Sequence, residues 1–158
     1  MDPVDPVTQA VMDATRALVG IAAQSIAEAS DEVSLAQYRT LVLIDSRRRL
    51  TMGDLAELLG VNPSTATRVC DALEAKGLVQ REPAKQSRRV IEVSLTAAGR
   101  GLVTRSLRRR RQLLEAAVAQ LSPSAQTRLA RSLRELSEAL GASSHHAWVL
   151  GWPTEAAR

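Results

Sequence analysis

Between Thr51 and Gly77 the sequence starts a helix, stops it, and at once starts and stops another. Thr51-x-x-Asp54 is a helix-start pattern, and Leu55, Ala56, Leu58 and Leu59 supply its apolar face. Gly60 stands where a helix ends in the left-handed conformation that glycine adopts without strain. Asn62-Pro63 follows as N-cap and first-turn proline, and Ala66, Val69, Cys70 and Leu73 recur at helical spacing until Gly77. Two short helices joined by Gly60-Val61-Asn62-Pro63 have the form of a helix-turn-helix.

The flanking segments complete the order. Val7, Val11, Ala14, Leu18 and Ile21 fall three and four residues apart, which predicts one face of a helix running to Ala29. Ser34-x-x-Gln37 reads as a capping box opening a helix with Leu35, Tyr38, Leu41 and Val42 on one side, ending near Arg47, Arg48 and Arg49. After Gly77 come two strand-like runs, Leu78–Arg81 and Val90–Leu95. In the second, Ile91, Val93 and Leu95 alternate with Glu92 and Ser94. The polar EPAKQSR between them predicts a hairpin loop longer than a tight turn. Helical spacing then returns through Leu102, Val103, Leu107, Leu113, Leu114, Val118 and Leu121. Ser122-Pro123 opens a last helix striped with Leu129, Leu133, Leu136 and Leu140. The expected fold is mainly α: a winged helix-turn-helix lobe over 34–96 with a small β-hairpin wing, flanked by long N- and C-terminal dimerisation helices in 1–33 and 97–158.

Composition narrows the function. The chain has 158 residues and a formal charge of +4, which favours a polyanionic partner. Aromatic residues make up 2% with no Phe, so the core must be aliphatic and helix-favouring. No apolar run approaches the roughly 20 residues of a membrane span. MDPVDPVTQA lacks the basic and apolar regions of a signal peptide, so a cytoplasmic protein without a membrane partner is expected. A single Cys excludes an internal disulfide and a cysteine zinc site. Adjacent His145 and His146 have diverging side chains, so no metal and no cofactor are expected. Gly-rich phosphate loops, paired carboxylates and Ser/His/Asp or Cys/His arrangements are missing, which argues against an enzyme.

In the second helix of the helix-turn-helix, Ser64, Thr65, Thr67 and Arg68 occupy the N-terminal positions that would meet base edges and phosphates in a major groove. No carboxylate occurs in that helix before Asp71. Lys85, Arg88 and Arg89 lie near the hairpin tip, where a narrow basic wing can reach an adjacent minor groove. The segment LTMGDLAELLGVNPSTATRVCDALEAKGLVQREP, followed by SRRVIEVSLTAAGR, resembles the MarR (multiple antibiotic resistance regulator) family. The resemblance implies a homodimer with two winged lobes on an interlocked helical base. It also implies binding to a pseudo-palindromic double-stranded DNA operator, usually as a repressor, often released by a small-molecule effector. One position departs from the pattern: where the family commonly has an Asp that helps fix the wing, two before the basic residue matching Arg89, this chain has Ser87.

Other features have plainer readings. Arg108–Arg111 span a full helical turn and cannot all face one phosphate backbone, so a solvated face paired with acidic residues is expected. Arg47–Arg49, directly before the helix-turn-helix, are better phosphate candidates. Cys70 falls on the inward face and is expected to be an inert core thiol rather than an oxidation sensor. Trp148 and Trp152 lie in a tail without clear period. The competing reading is a winged helix that recognises protein and does not bind DNA.

Overall fold

The computed structural model describes residues 5–84 and 87–140, the side chain of Arg88 excepted. Its order is α1 (Pro6–Ala29), α2 (Leu35–Arg47), β1 (Leu50–Thr51), α3 (Met52–Leu59), α4 (Pro63–Ala75), β2 (Val79–Ala84), β3 (Ser87–Leu95), α5 (Ala97–Val118) and α6 (Pro123–Ala139). His145, His146, Trp148 and Trp152 lie outside the described residues. Among those described, no helix is long and apolar enough to cross a membrane.

Local chemistry sets the helix ends. Ser34 and Thr51 each complete a reciprocal capping box, with Gln37 and Asp54 as partners. Asn62 and Ser122 cap helices that begin with proline. Gly60 and Gly77 close α3 and the turn after α4 at φ 67° and 68°, where a side chain would be strained.

The hydrophobic core gathers on α2. Tyr38, Leu41, Val42, Leu43 and Ile44 are all buried, so this helix is covered on nearly every side. Leu55 and Leu59 of α3, Cys70 and Leu73 of α4, Val79, Val93 and Leu95 of the sheet, and Leu102 and Val103 of α5 complete the cluster. Leu35 departs from expectation: it opens α2 beyond the edge of this core and is 62% exposed.

The sheet has three strands in the order β1-β3-β2, all neighbours antiparallel. β1 was not foreseen. Its two residues carry no period, and pairing of Leu50 with Val93 is what makes it a strand. The hairpin strands also run further than predicted. Glu82, Pro83 and Ala84 belong to β2 and Ser87 to β3, so most of the supposed loop is ladder, with a register shift between Pro83 and Ala84. Val93 and Leu95 are buried as their alternation requires, but Ile91 is 38% exposed. It sits further out along the hairpin, towards the wing end and away from the core that covers Val93 and Leu95.

α1 packs along α5. Between them lies a polar cluster: Ser25 and Ser106 hydroxyls 3.4 Å apart, with Arg110 Nε donating to Ser25 Oγ at 3.4 Å. The Arg110 guanidinium also lies over the Tyr38 ring, 5.9 Å from its centre. Arg110 is 4% exposed, against the expectation of a solvated arginine run. It stands seven residues after Val103 and four after Ser106, on the buried face of α5. Its neighbour Arg109 behaves as expected and pairs with Glu28.

The outer stripes stay uncovered within one chain. Val7, Leu18, Leu133 and Leu140 are all exposed, and α6 has no buried residue.

One close approach fixes α5 to the lobe. A Cβ at Gly99 would lie 2.1 Å from the Leu78 carbonyl oxygen, and this backbone atom already accepts the Thr96 N–H at 3.1 Å. Gly99→Ala should therefore destabilise the fold by about 1–3 kcal/mol. Urea unfolding checks this, through a lower midpoint at unchanged slope; a wild-type midpoint would show that the helix start shifts freely.

Candidate nucleic-acid interface

The start of α4 is organised by Asn62. Its side-chain oxygen accepts the Thr65 N–H and the Ser64 hydroxyl, each at 2.8 Å. Thr67 Oγ1 donates to the Pro63 carbonyl at 2.9 Å, and Arg68 Nη2 donates to Thr65 Oγ1 at 3.3 Å. Ser64, Thr67 and Arg68 are exposed and Thr65 is half-buried, while Ala66, Cys70 and Leu73 are buried behind them. The four residues singled out from the sequence thus share one end of one helix. Three of them face outward, and hydroxyl lone pairs remain available beside a guanidinium. The positive end of the helix dipole adds attraction for anions there.

The wing is the second element. Arg89 is exposed on β3, and its backbone N–H donates to Ser87 Oγ at 3.3 Å. Ser87 thus supplies a local hydrogen bond at the position where an Asp was expected. Lys85 and the Arg88 side chain lie outside the described residues.

Two arginines hold the wing, a role the sequence did not reveal for either. Arg81, on β2, reaches back to α4: Nη2 lies 2.7 Å from Asp71 Oδ1 and donates to the Thr67 carbonyl at 3.2 Å, and Nε is 3.8 Å from Glu74 Oε2. Burial acts to lower its pKa, but the hydrogen bond and charge of Asp71, with Cys70 and Glu74, outweigh this and raise it. Arg81 thereby ties wing to helix and offsets the first carboxylate of α4. The available signal was its parity with inward Val79, beside acids one helical turn apart.

Arg49 meets the outer face of the hairpin. Glu82 and Glu92 stand directly opposite each other across β2 and β3, a repulsive pairing of like charges. Arg49 Nη1 lies 3.5 Å from Glu82 Oε2 and 3.4 Å from Glu92 Oε2, bridging them. This arginine, expected to be a phosphate candidate, is occupied by the wing.

At the far end of α4, Lys76 Nζ donates to the Glu32 carbonyl and to Gln37 Oε1, the latter at 3.0 Å. Thr96 Oγ1 donates to the Gly77 carbonyl at 2.7 Å. The helix is held at its C-terminal end and by Arg81, leaving its N-terminal face clear.

A helix-turn-helix with an exposed second helix, followed by a braced hairpin, defines the winged helix-turn-helix class of transcription regulators. Comparison with known proteins narrows the class. The MarR family model matches residues 33–91. The crystal structure of RV1404 from Mycobacterium tuberculosis superposes with a TM-score of 0.82 at 36% identity, covering 88% of this chain and 95% of that one. The uncharacterized HTH-type transcriptional regulator YfiV of Bacillus subtilis (strain 168) is 28% identical over 109 residues, 69% of this chain and 68% of that protein. The HTH-type transcriptional repressor MdtR of the same organism is 37% identical over 67 residues, 42% of this chain and 43% of that protein. The chain belongs to the MarR family of transcriptional regulators.

Cys70 sits beneath the interface with no exposed surface. Burial raises its thiol pKa, and Arg81 opposes this in part. The thiolate is therefore scarce at neutral pH, and its reactivity should be low. We expect iodoacetamide to leave Cys70 unmodified in the folded protein and to label it in urea. Cys70→Ser should cost about 1–3 kcal/mol of stability, because a hydroxyl replaces a thiol in an apolar site. Release of the wild type from DNA by peroxide, lost in the Ser variant, would instead make this thiol a sensor.

Proposed function

We propose that the protein binds a pseudo-palindromic DNA operator as a homodimer and represses transcription. The observation that carries this reading is the exposed N-terminal face of α4. Ser64, Thr67 and Arg68 point outward there, and the nearest carboxylate on the helix, Asp71, is paired with Arg81. With their hydrogens given to Asn62 and the Pro63 carbonyl, these hydroxyls offer lone pairs to base amino groups, and the guanidinium suits guanine O6 and N7. Thr65 supports Arg68 from within the same turn. Arg89, with Arg88 and Lys85, serves the adjacent minor groove.

In this reading residues 34–96 are the DNA-binding lobe, and 1–33 with 97–158 form the dimer base. The uncovered stripes of α1 and α6 support it, because apolar faces of this extent are rarely left to water in a stable protein. Repression rests on the likeness to MdtR and on the family's habit; release by a small-molecule effector rests on that habit alone. A regulator of this kind works in the cytoplasm, where its DNA is.

Two measurements test the proposal. Light scattering at micromolar concentration should give about twice 17.0 kDa, and a monomer that still binds its operator would sink the dimer. Two lobes would read half-sites about 10 bp apart. With about 6–10 phosphate contacts, affinity should fall on the order of 10³–10⁵-fold between 50 and 200 mM salt. A flat response would favour a protein-recognition module.

The two basic elements should fail differently. Arg68→Ala should cost about 1–3 kcal/mol on the cognate site and relax preference at one base pair. Arg89→Ala should weaken cognate and mismatched sites alike and lower the salt slope by about one unit for each phosphate it no longer neutralises. Titrations against single-base mismatches at two salt concentrations separate them. The opposite pattern would reverse the assignment.

A further inference from the structure

We propose that the chain carries a second anion-binding site, separate from the DNA face, that takes a small phosphate-bearing molecule. It is a cleft of about 500 Å³ where the end of α2, the outer face of the sheet and the start of α5 meet. Its charged lining is Arg47, Arg48, Arg49 and Arg100, with Gln80 and Ser94 as neutral polar partners. The volume lies within the range of small-molecule sites, and a planar guanidinium fork matches phosphate oxygens.

The carboxylates nearby do not use up this charge. Arg49 is taken by Glu82 and Glu92. Asp45 is close enough to Arg100 and Arg48 for both to lower its pKa against the raising effect of its burial. Arg100 Nη1 also donates to the Leu95 carbonyl at 2.6 Å, which fixes its position. Arg47 makes no ion pair among the described residues, nor does Arg48 within 4 Å. The C-terminus of α2 attracts cations, which accounts for Arg47. It does not account for a fourth guanidinium arriving from α5.

The backbone adds to this. Arg48 is the one described non-glycine residue with positive φ, at φ 62° and ψ −40°. An L-residue held there is strained. The tight turn it makes, with Arg49 N–H donating to the Arg47 carbonyl at 2.7 Å, gathers three arginines at one corner.

The Leu95 and Thr96 wall of the cleft stands apart from the two elements assigned to DNA. Leu95 is the far end of β3 from the wing tip, about 25 Å away at ~3.3 Å per residue. Thr96 bonds Gly77, just beyond the C-terminal end of α4, about 20 Å from the end that carries Ser64 and Arg68. That wall is thus remote from the wing tip and from the start of α4, while Arg49, on the other side, meets the hairpin through Glu82 and Glu92.

The test is calorimetric titration of the full-length protein with inorganic pyrophosphate at constant ionic strength. It is repeated with the protein saturated by duplex DNA at low salt. The expected result is one saturable site per chain, with affinity unchanged by DNA. Arg47→Ala and Arg48→Gly should each weaken pyrophosphate on the order of tenfold. Glycine suits the φ at position 48, so that variant keeps the fold even if alanine at 47 does not. Competition between pyrophosphate and DNA, with both variants impaired in DNA binding, would make the cleft a DNA backbone contact and overturn the proposal. So would binding that survives both substitutions, or no binding at millimolar pyrophosphate. DNA binding is read separately throughout, so its own failure would be distinguishable.

Discussion

The burial of α2 is the constraint from which the rest of the lobe follows. Five of its residues from Tyr38 to Ile44 are hydrophobic and enclosed, and α1, α3, α4, α5 and β3 all pack against it. With no Phe in the chain, this core is built from branched aliphatic side chains, whose volumes must interlock to exclude water. α3 and α4 thereby take their angle from the surface of α2. The short connection through Gly60 allows it, because the left-handed turn reverses the chain without strain. α4 then has an inner face of Ala66, Cys70 and Leu73, and its other face is left to solvent.

Charge does for the wing what apolar packing does for the helices. A hairpin that projects past the core has little to bury, as the exposure of Ile91 indicates. It is held instead by two guanidinium groups. Arg81 joins it to the acids of α4, and Arg49 bridges two glutamates that would otherwise repel across the strands. Such partly exposed pairs are individually weak, so the wing is braced rather than locked. Ser87 fits this scheme, since a neutral hydrogen bond to the Arg89 backbone shapes the strand without adding charge.

The outer helices are organised differently. α1 and α5 enclose a hydrogen-bonded polar cluster of Ser25, Ser106 and Arg110 against Tyr38. Burial lowers the pKa of Arg110, and a guanidinium remains charged under such a shift because its ordinary value is so high. The hydrogen bonds Ser25–Ser106 and Arg110–Ser25 tie α1 to α5 at this level. The outer stripes of α1 and α6 remain exposed within one chain.

Much of this was decided locally and could be read from the sequence. Capping residues, first-turn prolines and the glycines at 60 and 77 act over four or five residues, so the starts of α2, α3, α4 and α6 and the helix-turn-helix itself were legible, while the caps Asp5 of α1 and Thr96 of α5 were not read. Apolar spacing likewise placed Cys70 and Leu73 inward and Ser64, Thr67 and Arg68 outward. Tertiary structure decided what depends on partners distant in the chain. β1 exists because Leu50 meets Val93; Arg110 is buried because α1 and α2 cover that turn of α5; Arg49 serves the wing because Glu82 and Glu92 lie across from each other. Period and propensity report only which face a residue shares with its near neighbours. Which arginine finds a carboxylate, a ring or open water is set by elements that approach from elsewhere in the chain, and only packing brings those together.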